Sequence, residues 1–400
     1  MKYVVLVGDG MADYPLPELN HKTPLQYANT PNMDLLVSRG ETGLVKTVPD
    51  GFPPGSDVAN LSVLGYAPEK YYTGRSPLEA VSMGVQLADH DVAFRCNLVT
   101  LSDAEDYTNK QMIDYSAGEI SSGEARDLIL AIESRLGGAD IKFYPGISYR
   151  HLMVWREGPE KTILTPPHDI PDQPVAKHLP RGEAAAEVLE MMRHSNAVLK
   201  NHPVNLARLE KGQRPGNSIW LWGQGKKPAL PLFSDLYRLE GAVVSAVDLV
   251  MGIGICAGLQ VLKVPGATGN IHTNFRGKAN YALEALRQGA DFIYLHVEAP
   301  DEAGHQGDLN TKIKAIEEID RQVLGTLLDG LAEFPMFRIM LLPDHPTPLS
   351  IRTHTADPVP YAIMDSRGKS GSHNVYSEET AASAGILVPD GPTLMRRFIL

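Results

Sequence analysis

The sequence predicts an α/β protein with a mostly parallel sheet, on three observations. Short, mostly apolar runs recur, each is closed by a turn carrying an aspartate, and helical periodicities lie between them. Lys2 to Val7 is the first such run, ended by Gly8-Asp9-Gly10. Phe292 to Val297 comes before Asp301, and Phe337 to Leu342 before Asp344. Continuous apolar runs of this length read as strands buried on both faces, which is the habit of parallel sheets covered by helices. Each aspartate then lies at the carboxyl end of its strand, where open α/β sheets bind ligands.

The elements between these strands follow from local chemistry. Phe52-Pro53-Pro54-Gly55 is a Pro/Gly corner that breaks regular structure and presents Ser56 at the start of a helix through Val58 to Leu64. Backbone donors at such a helix start favour a bound phosphate. The four-residue spacing of Asp301 and His305 puts both on one face of a helical turn. Ala246 to Ala257 reads as a buried helix rich in small residues, and Gly182 to Leu199 as a helix with Ala185, Val188, Leu189 and Met192 at apolar positions. Thr311 to Leu331 places Ile313, Ile316, Val323, Leu327 and Leu331 on one stripe of a single helix. Val92 to Leu101, Ile141 to Phe143 and Leu152 to Trp155 are further apolar segments, and the Pro-rich stretch from Thr165 to Pro171 reads as a rigid loop.

Five clusters carry the chemistry: Gly8-Asp9-Gly10, Gly55-Ser56-Asp57, Asp301 to His305, Pro343-Asp344-His345 and Thr353-His354-Thr355. Together they supply hard carboxylates (Asp9, Asp301, Asp344) and imidazoles (His305, His345, His354) around one serine. Two divalent metals about 4 Å apart can hold the attacking and leaving oxygens of an in-line phosphoryl displacement. A mixed carboxylate and imidazole set suits manganese or zinc better than calcium. Each cluster has a plainer reading by itself. Asp9 is a common turn residue, Ser56 an ordinary cap, and Asp344-His345-Pro346 a turn; His305 and His354 are two of 13 histidines. It is their joint occurrence at strand ends that points to a metal site.

The order Asp, Ser, Asp-x3-His, Asp-His, His resembles the alkaline phosphatase superfamily, and within it the archaeal type of cofactor-independent phosphoglycerate mutase. The likeness extends through Pro54 to Tyr66, Gly74 to Ala80, Phe94-Arg95-Cys96-Asn97, Tyr149-Arg150-His151-Leu152 and Pro265 to Gly269. It implies an alkaline phosphatase-like core, its sheet sandwiched by helices, with a smaller inserted α/β lid domain. It also implies that one metal is held by Asp301, His305 and His354 and the other by Asp9, Ser56, Asp344 and His345. Ser56 would be transiently phosphorylated. Manganese is the first choice of metal, with zinc, magnesium or cobalt as alternatives, and no 2,3-bisphosphoglycerate is required. The implied reaction is the interconversion of 3-phosphoglycerate and 2-phosphoglycerate, an isomerisation of glycolysis and gluconeogenesis.

The motif positions also set the domain expectation. Metal-ligand candidates fall before residue 60 and after residue 300, and the part of the intervening chain with apolar segments of its own, roughly Pro77 to Leu239, is about 160 residues, far too many for a loop. We expect a discontinuous core over 1–76 and 240–400 and an inserted substrate-binding lid over 77–239. A lid has a purpose in a mutase, since closure excludes water from a phosphoserine and holds the partner product. Arg75, Arg95 and Arg150 are the candidates for gripping carboxylate or phosphate, with Asn97, His151 and Lys278 beside them.

Composition narrows the partners. Thirty-seven basic against 48 acidic side chains give a net charge of -11, which argues against nucleic-acid or membrane-surface binding; the small phosphorylated carboxylate that the resemblance implies as substrate must then be attracted locally, by metals and a few arginines. No apolar run reaches 18 residues, and Met1-Lys2-Tyr3 enters a strand without a leader pattern, so the expected location is the cytoplasm. The two cysteines, Cys96 and Cys256, read as packed thiols. Oligomeric state is not legible. Two other functions compete with the mutase. One is transfer from Ser56 to another acceptor, as in proposed homoserine kinases of the same superfamily, which the stretch Leu342 to Pro348 also resembles; no Gly-x4-Gly-Lys-Ser/Thr loop is present for nucleotide. The other is a binding module with a purely structural metal, which a ligating serine disfavours.

Overall fold

The computed structural model describes residues 1–368 and 371–400 and divides into two compact units, Met1–Tyr72 with Ala229–Leu400, and Thr73–Pro228. The joins lie a few residues before 76 and about ten before 240. The second join follows from packing. The segment from Ala229 carries Phe233, whose ring lies 4.4 Å from that of Phe292, and the Tyr66 hydroxyl donates to the Pro231 carbonyl at 2.9 Å.

The first unit is organised around an eight-stranded sheet. Its spatial order is Gln260–Val261, Gly241–Val244, Phe292–Val297, Lys2–Gly8, Phe337–Leu342, Val359–Asp365, Glu41–Val45 and Leu387–Val388. All neighbours are parallel except that Val359–Asp365 runs antiparallel to both of its partners. The three strands expected from the apolar runs are thus central and adjacent. Side chains alternate across the sheet, so Val4, Leu6, Ile293, Leu295, Ile339 and Leu341 face a core shared with the helices Pro31–Ser38 and Phe275–Arg287. Tyr3 and Phe292 face the other way. Tyr3 meets Phe398 of the helix Gly391–Ile399 edge-on at 5.7 Å. With both faces covered, the central strands have no polar alternation to show, which is why their sequences read as mostly apolar runs.

The stretch expected as one helix, Thr311 to Leu331, is continuous but not uniform. An α-helix Leu309–Glu318 passes into a π-helical segment, Ile319–Leu324, before α-helical geometry resumes over Gly325–Leu331. The wider turn carries Asp320, which is almost fully buried and accepts from the Met33 amide at 2.7 Å and the Asn32 side chain at 2.9 Å. Asp320 thereby satisfies first-turn donors of the helix Pro31–Ser38 from a distant element. Apolar periodicity carried no sign of this, because the stripe residues Ile316, Val323, Leu327 and Leu331 are buried all the same.

Lys312, on the same helical stretch, is fully enclosed. Its ammonium donates to Asp13 at 2.7 Å and to the Thr347 carbonyl at 2.7 Å, while Asp13 accepts from the Leu349 amide at 3.2 Å. This pair ties the loop after the first strand to the loop after Phe337–Leu342.

The second unit has a five-stranded antiparallel sheet. Val92–Leu101 is its centre, bordered by Arg150–Trp155 and Met112–Asp114 on one side and Ser218–Lys226 on the other, with Ile141–Ile147 beyond Arg150–Trp155. All ten residues of Val92–Leu101 are buried. The helices Ser122–Leu136 and Ala185–Leu199 contribute Leu128, Ile129, Ile132, Val188 and Met192 to its core. Pro167–Asp169 forms a single 3₁₀ turn, and the neighbouring Thr165 carbonyl is held by the Trp220 indole at 2.8 Å. Cys96 is buried here, whereas Cys256 is only half-buried, so the expectation of a packed thiol is met by the first alone.

Replacing Lys312 by Met leaves the Asp13 carboxylate buried without its cation, and loss of one partner of such a pair costs about 3–5 kcal/mol. Chemical denaturation of Lys312→Met is expected to show a midpoint well below wild type; an unchanged midpoint would remove the clamp from the list of stabilising contacts.

Candidate metal centre

Register brings the three carboxylates together. Gly8 pairs with Val297 and Val7 with Leu342, so the residues just beyond these parallel strands emerge at one edge of the sheet. Asp9 follows directly, Asp344 comes two residues after its strand, and Asp301 sits in the first turn of the helix Ala299–Gln306. His305 is one turn further along that helix, 3.4 Å from Asp301. His354 reaches the other Asp301 oxygen at 3.4 Å, and the Nε2 atoms of His305 and His354 are 2.9 Å apart. On the other side of Asp301, His345 Nε2 lies 3.7 Å from Asp9, 3.5 Å from Asp344 and 3.1 Å from the Ser56 hydroxyl. Ser56 opens the helix Ser56–Val63, as its Pro/Gly corner predicted.

All seven residues proposed as metal ligands therefore converge. Gly10 is needed for the approach. Its φ is +62°, and a Cβ there would fall 2.7 Å from the Asp301 Cα, a backbone atom that cannot step aside.

The electrostatics are those of a cation site. Burial pushes the Asp9 carboxyl well above the usual carboxylate range, and Asp344, Asp301 and Glu298 nearby push it further. Burial also works against the charge on Asp301, but hydrogen bonds from His305 and His354 outweigh it and hold this group well below that range. The Asp301 bond raises His305 to about 9. Burial lowers His345, so its imidazole is neutral.

Three sets of ligand atoms lie within 4.8 Å of one another: Asp301 with His305 and His354, Asp9 with Asp301 and His345, and Asp9 with His296 and Asp344. One Asp9 oxygen is buried with no hydrogen-bond partner. Enclosed carboxylates with an orphaned oxygen, facing imidazole nitrogens, fit a divalent metal in donor type and in charge.

Residues outside the predicted set orient these donors. The His305 Nδ1 lies 3.0 Å from the Arg352 carbonyl. A carbonyl can only accept, so neutral His305 carries its proton on Nδ1 and keeps an Nε2 lone pair for the centre. Thr347 does the same for His345. Its hydroxyl donates to Asp301 at 2.5 Å and so accepts from His345 Nδ1 at 3.3 Å. Asn60 donates to Asp344 at 2.7 Å, and His296 Nε2 stands 2.9 Å from Asp9. Asn60 and Thr347 lie inside the quoted motif stretches yet carried no separate signal, and His296 is hidden in an apolar strand.

The residues proposed for substrate fall into two places. Lys278 belongs to the first unit, wholly buried, donating to the His296 carbonyl at 3.2 Å and lowered to about 8 by burial. The other five lie in the second unit. Arg75 Nε donates to Glu79 at 2.9 Å, and Arg95 donates to the same carboxylate oxygen. Arg95 is buried over the Trp222 ring and is held down to about 10 by burial, with Arg75 and Arg150 adding repulsion against the pull of Glu79. Arg150 is exposed beside Tyr149. Asn97 accepts from the Trp222 indole at 3.0 Å and donates to the Tyr115 carbonyl at 3.3 Å. His151 is held neutral, near 3, by burial and by Arg95.

Fold and geometry thus define an α/β protein with a carboxylate and imidazole metal-type centre beside a serine, at the carboxyl edge of a largely parallel sheet. Comparison with known proteins narrows this class. The family model for 2,3-bisphosphoglycerate-independent phosphoglycerate mutase matches residues 37–205. A relative from Geobacter sulfurreducens is 54% identical over the whole of both chains. One from Methanosarcina acetivorans, named 2,3-bisphosphoglycerate-independent phosphoglycerate mutase, is 52% identical over 96% of each. A solved structure from Pyrococcus horikoshii superposes with a TM-score of 0.83 at 31% identity, over 99% of this chain and 96% of that one. The chain belongs to the 2,3-bisphosphoglycerate-independent phosphoglycerate mutase family.

The raised His305 value has a testable consequence for metal-free protein. Its pair with Asp301 contributes stability fully present below the ordinary imidazole value of 6.5 and lost as pH rises through about 9. With metal chelated, the gap in melting temperature between wild type and His305→Gln is expected to narrow from about pH 6 toward about pH 10, as His305 loses its proton. A gap independent of pH would rule the pair out.

Proposed function

We propose that this protein interconverts 3-phosphoglycerate and 2-phosphoglycerate through a phosphorylated Ser56, without 2,3-bisphosphoglycerate. The observation that carries the reading is the convergence of Asp9, Asp301, Asp344, His305, His345 and His354 around the Ser56 hydroxyl, 3.1 Å from His345, in a member of this family. Asp301, His305 and His354 would hold one divalent metal, and Asp9, Ser56, Asp344 and His345 the second, with manganese the metal we favour. Bound there, the metals would lower the proton affinity of the Ser56 hydroxyl and neutralise charge on the phosphoryl oxygens.

The chain's own part is then to move and guard one group. The Ser56 oxygen bonds to phosphorus as the bond to the substrate's 3-oxygen breaks, the serine proton passing to that oxygen to leave glycerate; the glycerate 2-hydroxyl then attacks the phosphoserine as the bond from phosphorus to the Ser56 oxygen breaks, and its proton returns to Ser56. The start of a helix is a favourable address for the phosphoryl group, since free backbone donors point outward there. Arg75, Arg95 and Arg150 are the groups suited to the substrate carboxylate. Glu79 keeps two of these guanidiniums oriented. We propose the unit Thr73–Pro228 as the lid that keeps glycerate from escaping and water from the phosphoserine. Among the described residues no helix is long and apolar enough to cross a membrane. The reading implies a glycolytic isomerase working in the cytoplasm. Transfer to homoserine draws no support from the relatives, which carry the mutase name at about half identity over nearly their whole length.

Purified protein with manganese is expected to convert 3-phosphoglycerate in an enolase-coupled assay without added 2,3-bisphosphoglycerate. No product with manganese, zinc, magnesium or cobalt would end the mutase reading, and ATP-dependent phosphorylation of homoserine would replace it. Ser56→Ala should keep its fold and lose turnover by about a thousandfold or more, as expected when a covalent nucleophile is removed. Chelation should abolish activity reversibly.

A further inference from the structure

Asn60 lies on the helix that Ser56 begins, one turn along, and is almost wholly buried. Its side-chain nitrogen donates to Asp344 Oδ2 at 2.7 Å and to the Ser56 carbonyl at 2.9 Å. A carboxylate and a carbonyl can only accept, so the amide's NH₂ must be on this side and its oxygen on the other. That oxygen is met by the Tyr294 hydroxyl at 2.7 Å. Tyr294 is fully buried on the central strand Phe292–Val297, and burial, with Asp344 and Asp9 nearby, keeps its hydroxyl protonated. The chain of donors therefore has one direction: Tyr294 to Asn60, and Asn60 to Asp344 and Ser56.

We propose that Asn60 is a positioning residue that locks the nucleophile-bearing turn to the metal ligand Asp344, with Tyr294 fixing the orientation of its amide. Asp344 Oδ1 is already engaged by the Gly10 amide at 3.2 Å and the His345 amide at 2.9 Å. Asn60 orients the remaining oxygen. Its second bond holds the first turn of the helix to that same carboxylate, so Ser56 and Asp344 keep a constant separation. Because both donors sit on one planar amide, rotation of that amide would release both acceptors together. Tyr294 prevents the rotation from the sheet side, where its backbone is fixed by pairing with Val5 and Val243.

The inference rests on the two-metal reading of the centre, and its test separates the two. Tyr294→Phe removes one hydroxyl from a buried site without changing its shape; Asn60→Asp keeps the size and removes the donors. Metal-free wild type and variants would be titrated with manganese while thermal unfolding is followed, and kcat and KM for 3-phosphoglycerate would be measured at saturating metal. For Tyr294→Phe, the manganese concentration giving half of the full stabilisation is expected to rise about tenfold, the usual scale for loss of an outer-shell partner. Its kcat should fall by a similar factor with KM unchanged. Asn60→Asp should show the larger loss in both. A Tyr294→Phe protein that melts like wild type without metal, binds manganese equally well and turns over at the same kcat would overturn the proposal. A uniform fall in metal-free stability with metal response and kcat intact would also overturn it, reducing both residues to packing. If wild type lacks mutase activity yet the manganese response still depends on Asn60 and Tyr294, the positioning role stands and the substrate reading falls.

Discussion

Three aspartates held out of water within reach of one another are the constraint around which the first unit is arranged. Asp9, Asp301 and Asp344 are each at most 6% exposed. Like charges so placed are mutually repulsive, and removal from water raises the cost of each. Among the described residues no Lys or Arg side chain is hydrogen-bonded to their oxygens; imidazoles and backbone or neutral side-chain donors face them instead. A centre with that donor set has lone pairs to spare for a cation, which a salt bridge would have consumed. The buried ammonium of Lys312 is spent on Asp13. Its job is to join two loops, leaving the aspartates between them for other partners.

Holding repelling groups together requires rigidity beneath them, and the sheet supplies it. Parallel pairing of three adjacent strands puts the aspartates along one edge, and helices on both faces leave those strands no freedom to slide. Above the sheet, order comes from hydrogen bonds whose direction is forced. Asp301 must accept, so Thr347 donates to it and accepts from His345; the Arg352 carbonyl must accept, so His305 protonates on Nδ1. Asp344 must accept, so Asn60 presents its nitrogen and Tyr294 meets the oxygen. Each such choice leaves an imidazole nitrogen or carboxylate oxygen aimed at the same small volume beside Ser56.

The second unit solves a different problem. Arg75 and Arg95 share the Glu79 carboxylate, and Arg95 is buried against Trp222. A buried guanidinium needs one anion to remain charged at modest cost, yet two guanidiniums on one carboxylate leave positive charge over. That surplus is suited to an anion, and it arises in a chain whose net charge is -11.

Much of this was legible in the amino-acid order because the strongest physical signals are local. A doubly buried strand must be apolar along its length, a turn at its end admits aspartate and glycine, and Asp301 and His305 share a face because a helix repeats every three to four residues. Those rules located the three central strands, the aspartates beyond their ends, His305 on its helical turn and the helix start at Ser56; the grouping of Ser56, His345 and His354 with them as ligands was implied by the resemblance. Other features had no local signature. The π-helical turn at Ile319–Leu324 carries Asp320 to the start of another helix, a contact that no periodicity within its own segment reveals. Lys278 was named beside the arginines as a lesser substrate candidate, and its ammonium is enclosed, donating to the His296 carbonyl. His296, Tyr294 and Thr347 became partners of the centre only through strand register and loop closure. The sequence by itself determined which residues offer donors for a cation and that the aspartates among them follow the ends of strands; the tertiary structure alone decided which nitrogen or oxygen each one presents, because hydrogen-bond direction depends on neighbours that are distant along the chain and adjacent only after folding.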